Sequence, residues 1–228
     1  MDTIQIIETG DGSHTLLNTT LNETYHSRHG ALRESEHVFI QHGLQHWLDT
    51  HPSASSIRIL EVGLGTGLNA WLTVREAKKL PATQFYYTSL EPYPLAAEVI
   101  AQLNYTQQMN EADMISYFDD IHQADWHKDV PLLSNFTLHK QQSTLQDFAD
   151  TQGYDLIYFD AFAPNKQPEL WELPMLEKSV SLLKPRGVWV TYSAKGQLKR
   201  DLKSLGLTVK TLPGPPGKAE MVRASSIA

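Results

Sequence analysis

The chain has 228 residues, of which 41% are hydrophobic, and a formal net charge of −7 at pH 7. This length and apolar content predict one folded domain and exclude a disordered chain. The absence of cysteine excludes disulfides and a cysteine nucleophile, and without an apolar membrane span or an export signal we expect a cytoplasmic protein with no membrane partner.

Residues 1–24 are polar with two short apolar patches, which predict a small hairpin or an extended arm. From Ala31 to Leu48 the apolar residues recur at helical spacing, which predicts an amphipathic helix. His42 and His46 have the i, i+4 spacing of metal ligands on a helix. We expect an ordinary surface helix and no metal site, with a metal site on the helix as the alternative.

Residues 57–69, IRILEVGLGTGLN, have the pattern of a buried strand, a tight glycine turn and the start of a helix. Gly63, Gly65 and Gly67 alternate, whereas a dinucleotide fingerprint requires G-x-G-x-x-G. Glu61 ends the strand, where its carboxylate would repel a pyrophosphate. The turn therefore favours a cationic or hydroxylated ligand, and an ordinary glycine turn is the alternative.

Strands and helices alternate along the rest of the chain. Further strands are predicted over residues 84–90, 136–139, 154–159, 187–192, 207–212 and 219–224. Helices are predicted over residues 68–80, 95–103, 145–149, 170–183 and 195–205. Residues 104–130 give no clear prediction. The alternation predicts a parallel sheet covered on both faces, and the last two strands predict an antiparallel hairpin at one edge.

Three predicted strands end on an acidic residue, Glu61, Glu91 or Asp160. In an open parallel sheet the ligand lies beyond the carboxyl ends of the strands. Glu91 follows the glycine turn by about one βα unit, where an acid can accept both hydrogen bonds of a ribose diol; a solvent-facing carboxylate is the alternative. Asp160 opens the loop DAFAP, where an acid can accept a proton from an amine and Phe162 can stack on a flat ring; helix capping is the alternative for Asp160.

Positive charge is concentrated in residues 184–228, which hold nine Lys and Arg and two acidic residues, a balance of +7. Because the total is −7, the rest of the chain carries −14. This asymmetry permits a basic, phosphate-binding face on an acidic protein. A set of solvated lysines is the alternative.

Five separated segments resemble one family. They are residues 25–39 (YHSRHGALRESEHVF), 61–69 (EVGLGTGLN), 158–171 (YFDAFAPNKQPELW), 191–196 (TYSAKG) and 213–224 (PGPPGKAEMVRA). Together they are similar, over nearly the whole chain and in the same order, to the tRNA 5-aminomethyl-2-thiouridine methyltransferase family.

The resemblance implies an α/β fold of the class I, Rossmann-like kind that depends on S-adenosylmethionine. We expect a mostly parallel seven-stranded sheet with a C-terminal antiparallel hairpin, in one domain made of an extension (residues 1–56) and a core (residues 57–228). It also implies N-methylation of the 5-aminomethyl group of a (2-thio)uridine at the wobble position, with the tRNA anticodon stem-loop as the partner.

The family's motifs assign roles to individual residues. Asp160 takes the catalytic position. The resemblance assigns cofactor contacts to Glu61, Gly63, Gly65, Gly67, Asn69, Glu91 and Asp160. Relatives carry a Gly-Asp pair after the third strand where this chain reads QQST, so Ser143 and Thr144 are the expected substitutes at the adenine. The resemblance assigns substrate contacts to Tyr25, His26, Ser27, Phe162, Pro164, Lys166, Lys195 and Lys218. Lys199 and Arg200 are also expected to meet phosphates.

Other functions remain open at this point. The same sheet and acids suit a small-molecule amine methyltransferase or an aminopropyltransferase, and a nucleoside-binding module without catalytic activity is a third interpretation. In the bifunctional relatives a flavin-dependent oxidase domain prepares the amine. No second glycine fingerprint is present in this sequence, so we expect no flavin oxidase domain here and expect that step to be absent or supplied by a separate enzyme.

Overall fold

The computed structural model describes residues 4–109 and 111–226. The first elements form a small antiparallel sheet of β1 (Ile4–Glu8), β2 (His14–Asn18) and β3 (Glu23–Thr24). The expected N-terminal hairpin is confirmed, with a short third strand added. The first three residues of that expectation, and the last two residues of the expected core, lie outside the described residues.

A continuous helix follows the small sheet. It consists of α1 (Ala31–Ser35), a π-helical segment (Glu36–Gln45) and α2 (His46–Thr50). The expected amphipathic helix is confirmed, but its π-helical middle was not expected. Gly43 lies in this segment where a Cβ would come within 3.1 Å of both Tyr158 and Val190, so glycine allows the helix to approach the main sheet closely.

Eight strands form the main sheet. They are β4 (Ser56–Val62), β5 (Gln84–Leu90), β6 (Asp129–Leu133), β7 (Phe136–Gln141), β8 (Tyr154–Phe159), β9 (Leu183–Thr191), β10 (Thr208–Pro213) and β11 (Glu220–Ser225). Their order is β10-β11-β9-β8-β4-β5-β7-β6. The five central strands are parallel, and β6, β10 and β11 run antiparallel to their neighbours.

The predicted parallel sheet and C-terminal hairpin are therefore confirmed, but the count of seven strands was wrong. The additional strand is β6, which pairs with β7 at one edge. Its sequence, DVPLL, contains Pro131, which lacks a backbone donor and is tolerated in a strand mainly at a sheet edge. The sequence therefore gave no strand signal there, and only pairing with β7 defines it.

Within the described residues, six further α-helices flank the main sheet, and 3₁₀ turns cover Ala112–Met114 and Pro168–Trp171. The six α-helices are α3 (Leu68–Lys79), α4 (Ala97–Ile100), α5 (Tyr105–Gln108), α6 (Ile115–Gln123), α7 (Leu173–Ser181) and α8 (Gly196–Ser204). Of the helix expected over 95–103, only the four residues of α4 are α-helical. The helix expected over 145–149 is wrong: Thr144 and Asp147 bond to each other and close a turn instead. Helix α7 begins later than expected because Pro174 fits the first helical turn.

Alternate residues of each central strand pack against opposite layers of the protein. In β4, Ile57 and Ile59 face the core under the N-terminal helix and α3, whereas Leu60 and Val62 face the core under α7 and α8. This alternation fixes which strand-end side chains can reach a ligand. Within the described residues, no helix has the length and apolar character needed to cross a bilayer.

Candidate functional site

The three predicted acidic strand ends lie on adjacent strands, because β8, β4 and β5 are neighbours in the sheet. The Gly63 N–H donates to the Leu90 carbonyl (3.0 Å), and the Asp160 N–H donates to the Val62 carbonyl (3.0 Å). These bonds hold the loops after the strands side by side. A cavity of about 550 Å³ opens above them, at the edge where the sequence predicted a ligand site.

Most of the residues predicted for the site line this cavity. They are Tyr25, His26, Ser27, Gly63, Gly65, Glu91, Ser143, Thr144, Asp160, Phe162 and Lys218. The N-terminal extension thus supplies one wall and the strand-end loops supply the floor. Six other predicted residues do not line it, namely Glu61, Gly67, Asn69, Pro164, Lys166 and Lys195.

The glycine turn lets two loops approach each other under the cavity. Gly63 has a φ of 96°, and a Cβ there would come 2.8 Å from the Asp160 carbonyl oxygen. Gly65 has a φ of 51°, and a Cβ there would come 3.1 Å from the Tyr25 ring. Residues with a side chain would be strained at these φ values and would close the space in which a ligand can meet the main chain.

Glu91 is held at the cavity wall by two backbone donors. The Gly65 N–H donates to Oε2 (3.0 Å) and the Tyr93 N–H donates to Oε1 (2.9 Å). Burial raises the pKa of this carboxyl above its usual value, although the two backbone bonds oppose the shift. Each carboxylate oxygen of Glu91 keeps a second lone pair after accepting its backbone bond. Glu91 can therefore accept two hydrogen bonds from hydroxyl groups of a ligand in the cavity.

Asp160 is a half-buried acid with a side-chain amide bonded to it. The Asn69 Nδ2 donates to Oδ2 (2.8 Å). Burial, and next the charge of Glu34, raise the pKa of Asp160 to about 7, against the opposing effects of Asn69 and Lys218. A carboxyl group with a pKa near neutrality is suited to accept and release a proton.

Tyr25 and His26 bring the N-terminal segment over the glycine turn. The Tyr25 ring lies edge-on to Phe162, with 4.9 Å between the ring centroids. Burial and the nearby Glu91 raise the pKa of Tyr25 to about 12. Burial lowers the pKa of His26 to about 4, so this imidazole is neutral near pH 7, and its Nδ1 has no hydrogen-bond partner among the described residues.

The cavity residues that were not predicted from sequence include Glu34 and Tyr192. The Lys218 Nζ lies 2.5 Å from Glu34 Oε1 and 3.7 Å from the centre of the Tyr192 ring. The Ser27 N–H donates to Glu34 Oε2 (2.6 Å). Both residues fall inside the segments that carried the family resemblance, which was the available signal, but a pairing across 184 positions of sequence has no local signature.

Glu61 does not contact the cavity, which corrects two expectations. Its side chain is fully buried on the α3 side of β4, where the Ser89 Oγ donates to it (2.5 Å). Burial raises the pKa of Glu61 to about 8, which favours the neutral acid. Its charge therefore does not act on a ligand as the sequence argument supposed, and Glu91 is the acid that does face one.

Gly67 and Asn69 also lie behind the cavity wall. Gly67, with a φ of 75°, precedes α3 and lies against His122, where a Cβ would come 2.9 Å from Nε2. Asn69 lies in the first turn of α3 and reaches the site only through its bond to Asp160. Neither residue lines the cavity: Gly67 shapes the turn, and Asn69 bonds to the acid.

Three residues predicted to contact substrate lie outside the main cavity. Pro164 and Lys195 line a shallower depression that shares Lys218 and Tyr192 with it. The Lys166 Nζ donates to the Leu21 carbonyl (3.0 Å) and so ties its loop to the N-terminal extension. In the described part of the chain, no group of three or more His, Asp or Glu side chains is arranged to hold a metal ion.

Replacing Glu61 with glutamine is expected to change how stability depends on pH. Because the folded protein binds the Glu61 proton more tightly than the unfolded chain, the free energy of unfolding falls as pH rises from about 4.5 to about 8. Glutamine keeps the shape without the charge and removes this fall, which amounts to several kcal/mol at most because one pKa unit is worth about 1.4 kcal/mol.

The measurement is urea unfolding of wild type and Glu61→Gln between pH 5 and pH 9. Glu98→Gln, at an exposed position, is the charge-matched control. Parallel stability curves for wild type and Glu61→Gln would show that the buried acid is not held neutral.

A sequence profile described as S-adenosyl-L-methionine-dependent methyltransferase matches residues 90–227. The chain is 27% identical over 211 residues to the tRNA 5-methylaminomethyl-2-thiouridine biosynthesis bifunctional protein MnmC of Chromobacterium violaceum, covering 89% of this chain and 32% of that protein. The protein of that name from Cupriavidus necator is 29% identical over 218 residues, covering 90% and 32%. The chain thus spans about a third of the length of these curated relatives.

Two solved structures cover almost the whole chain. MNMC2 from Aquifex aeolicus superposes with a TM-score of 0.80 at 25% identity, covering 99% of this chain and 70% of that one. Spermidine synthase from Thermotoga maritima superposes with a TM-score of 0.58 at 15% identity, covering 98% and 68%. At that identity the second similarity concerns the fold alone.

Proposed function

Because the chain belongs to the S-adenosyl-L-methionine-dependent methyltransferase family, we propose that it methylates the nitrogen of a 5-aminomethyl group on a wobble (2-thio)uridine of tRNA. Family membership confirms the expected methyltransferase class, the α/β methyltransferase fold and S-adenosylmethionine as the cofactor. The observation that carries the proposal is the half-buried acid Asp160 in the cavity above the glycine turn. The chain is also similar along almost all its length to proteins of 5-methylaminomethyl-2-thiouridine synthesis.

The residues present fit the cofactor. The cavity is large enough for a nucleoside with a side chain, and its floor is a backbone turn that any Cβ would obstruct. We propose that Glu91 accepts the ribose hydroxyls and that Ser143 and Thr144 lie at the adenine. When bound, S-adenosylmethionine supplies an electrophilic methyl group, and its sulfur keeps the electron pair of the broken C–S bond.

Asp160 provides the proton acceptor that this reaction needs. A primary amine of the lysine type titrates near 10, so it is mostly an ammonium ion at neutral pH and has no lone pair to donate. The Asp160 carboxylate accepts one ammonium proton, which frees the nitrogen lone pair for the bond to the methyl carbon. The methylated nitrogen is again cationic, and the negative charge of Glu34 in the same cavity stabilises it.

Aromatic side chains orient the uridine and exclude water. Phe162 lines the cavity beside Asp160, and its carbonyl accepts a hydrogen bond from the Trp171 indole (2.7 Å), which fixes the loop. We propose that the base stacks on Phe162 under Tyr25, with Ser27 and the neutral His26 as polar neighbours. A loop uridine is already largely unstacked, so placing it in the cavity costs little.

The proposal also covers the domain organisation and the partner. We propose that the extension (residues 1–56) and the core (residues 57–228) act as one unit, since both line the cavity. The anticodon stem-loop is the proposed partner, with Pro164, Lys166, Lys195 and Lys218 near the entrance. Methyl transfer consumes a primary amine, so another activity must install that amine on the uridine first.

The test is transfer of radiolabelled methyl from S-adenosylmethionine to tRNA isolated from cells that lack this modification step. We expect label in 5-methylaminomethyl-(2-thio)uridine at the wobble position of tRNA that bears the 5-aminomethyl group. Small amines serve as competing acceptors in a parallel reaction.

Three outcomes would contradict the proposal. Transfer only to tRNA carrying the carboxymethylated amine would mean that the acceptor is a different one. Efficient transfer to small amines with none to tRNA would favour a small-molecule enzyme. Cofactor binding without any transfer would favour a nucleoside-binding module.

A further inference from the structure

Five basic side chains lie together outside the cavity, and we call them the basic stripe. They are His37, His42, His46, Lys210 and Arg223. The three histidines project from the helix that begins at residue 31, and Lys210 and Arg223 lie on the β10–β11 hairpin at the edge of the main sheet.

The fold brings these residues onto one face. Lys210 and Arg223 are directly paired across β10 and β11, so their side chains point to the same side of the sheet. Met221 and Leu212 share that side and pack against the core under the N-terminal helix. On the helix, the π-helical repeat of five residues aligns His37 with His42, whose ring centroids are 4.6 Å apart.

The stripe has little negative charge to balance it. Among residues 4–109 and 111–226, no carboxylate forms an ion pair with Lys210 or Arg223. Among the residues that the structure describes, the guanidinium of the half-buried Arg223 donates only to the His42 carbonyl, at 3.4 Å. The acid facing the stripe is Asp49, which acts on His46 and accepts a hydrogen bond from Gln45.

The basic residues of the stripe repel each other. Burial lowers the pKa of His42 below its ordinary value, and the charges of His37 and Arg223 lower it further. Burial, Arg223 and Lys210 do the same to the pKa of His46. A half-buried, uncompensated cluster of this kind costs free energy, which a bound anion would recover.

The basic helix expected from sequence lies on the other face of the sheet and is partly neutralised. The Lys199 Nζ donates to Glu220 (3.0 Å), and Arg200 donates to Gln197 (2.7 Å). This contrast distinguishes the stripe from the solvated lysines of α8.

The stripe starts beside the cavity and leads away from it. His37 Nε2 lies 2.9 Å from the carbonyl of Pro213, the residue that opens the loop carrying Lys218 into the cavity. Glu34, in the cavity wall, is only three positions before His37. His37 and His46 are nine positions apart on this helix, about two turns, so the stripe is longer than a single phosphate group.

We propose that the basic stripe binds successive phosphates of the RNA strand whose nucleotide enters the cavity. This inference rests on the proposed function and adds the surface that would hold the tRNA. Arg223 and Lys210 contact phosphate oxygens, and His42 and His46 take up protons as the phosphates approach, because a nearby negative charge raises the pKa of an imidazole.

The test is the salt dependence of tRNA binding by the full chain, measured by fluorescence anisotropy. The variant is the double substitution Lys210→Gln with Arg223→Gln. Each lost phosphate contact reduces the slope of log affinity against log salt by about 0.7 to 0.9, so we expect a slope shallower by roughly 1.4 to 1.8 and weaker binding at low salt. The affinity for S-adenosylmethionine should stay at the wild-type value.

A matched control removes two positive charges elsewhere. Lys79 and Lys203 are exposed, on α3 and α8, and Lys79→Gln with Lys203→Gln should leave the slope unchanged. Because Arg223 is half-buried, the exposed single variant Lys210→Gln provides a second reading if the double variant does not fold, with an expected change of about 0.7 to 0.9.

Wild-type affinity and slope in the folded stripe variants would overturn the inference while leaving the proposed function intact. A wild-type protein that binds S-adenosylmethionine but neither binds nor methylates tRNA would overturn both. Equal losses in the stripe and control variants would show a general charge effect and would also overturn the stripe.

Discussion

Replacing Asp160 with asparagine is expected to abolish most methyl transfer while leaving cofactor binding near the wild-type value. Asparagine keeps the size of the side chain and can still accept the hydrogen bond from the Asn69 amide (2.8 Å in the wild type). It cannot accept a proton from an ammonium ion. Removal of a positioned general base typically costs about 10² to 10⁴ in rate, and we expect a loss in that range.

The measurement separates kcat from binding. Single-turnover methyl transfer gives the chemical step, and calorimetric titration gives the affinity for S-adenosylmethionine. Asp119→Asn, on the exposed side of α6, is the control and should leave both unchanged. Wild-type turnover in Asp160→Asn would remove Asp160 from the mechanism, and a parallel loss of cofactor affinity would reassign it to binding.

The pH dependence of the reaction rate is a second test of the role of Asp160. Since the pKa of Asp160 is raised to about 7, the carboxylate needed as base is lost as pH falls through that value. The wild-type kcat/KM, which reports the free enzyme, should therefore decrease below about pH 7. The residual activity of Asp160→Asn should lack this decrease.

Replacing Gly63 with alanine is expected to disrupt the cofactor site. The residue combines a φ of 96° with a space in which a Cβ would be 2.8 Å from the Asp160 carbonyl oxygen. A side chain at such a φ costs roughly 1 to 3 kcal/mol, and the clash must move one of the two loops that form the cavity floor. We expect S-adenosylmethionine affinity to fall by at least about tenfold, which corresponds to 1.4 kcal/mol.

Gly206→Ala is a control that separates backbone strain from a steric clash. Its φ of 86° is similar, but a Cβ there would meet nothing within 4 Å. Gly206→Ala should therefore lose some stability and keep its cofactor affinity. If Gly63→Ala and Gly206→Ala lose equal stability and both bind S-adenosylmethionine normally, then the close approach of the loop after β8 is not what shapes the site.

Much of the fold follows from local patterns. The strands over residues 84–90 and 154–159 have the predicted bounds, because each is rich in aromatic, aliphatic and β-branched residues and is followed by an acid, Glu91 or Asp160. Strand β6 was missed because Pro131 breaks the local signal and an edge pairing supplies the structure. The short helix over 145–149 was wrong because side-chain bonds of Thr144 and Asp147 compete with helix formation.

The residues of the candidate site also fall into those that local patterns predicted and those that they did not. Asp160, Glu91 and the glycine turn were found because chemistry at a strand end can be read from neighbouring residues. Glu61 was misplaced because the sequence shows that it alternates with Leu60 and Val62 but not which layer covers its face. The Glu34–Lys218 pair was missed because its two members come from opposite ends of the chain.

By itself the sequence determined the central strands and the helices between most of them, the glycine turn and the acids that follow the parallel strands, since all of these depend on residues within about one turn or one strand of each other. Only the tertiary structure decided which acids face the cavity, that the N-terminal extension forms its wall, and that three histidines meet Lys210 and Arg223. The physical reason is that burial, charge coupling and the alignment of side chains depend on which distant segments pack together, and the packing of distant segments is a property of the whole fold.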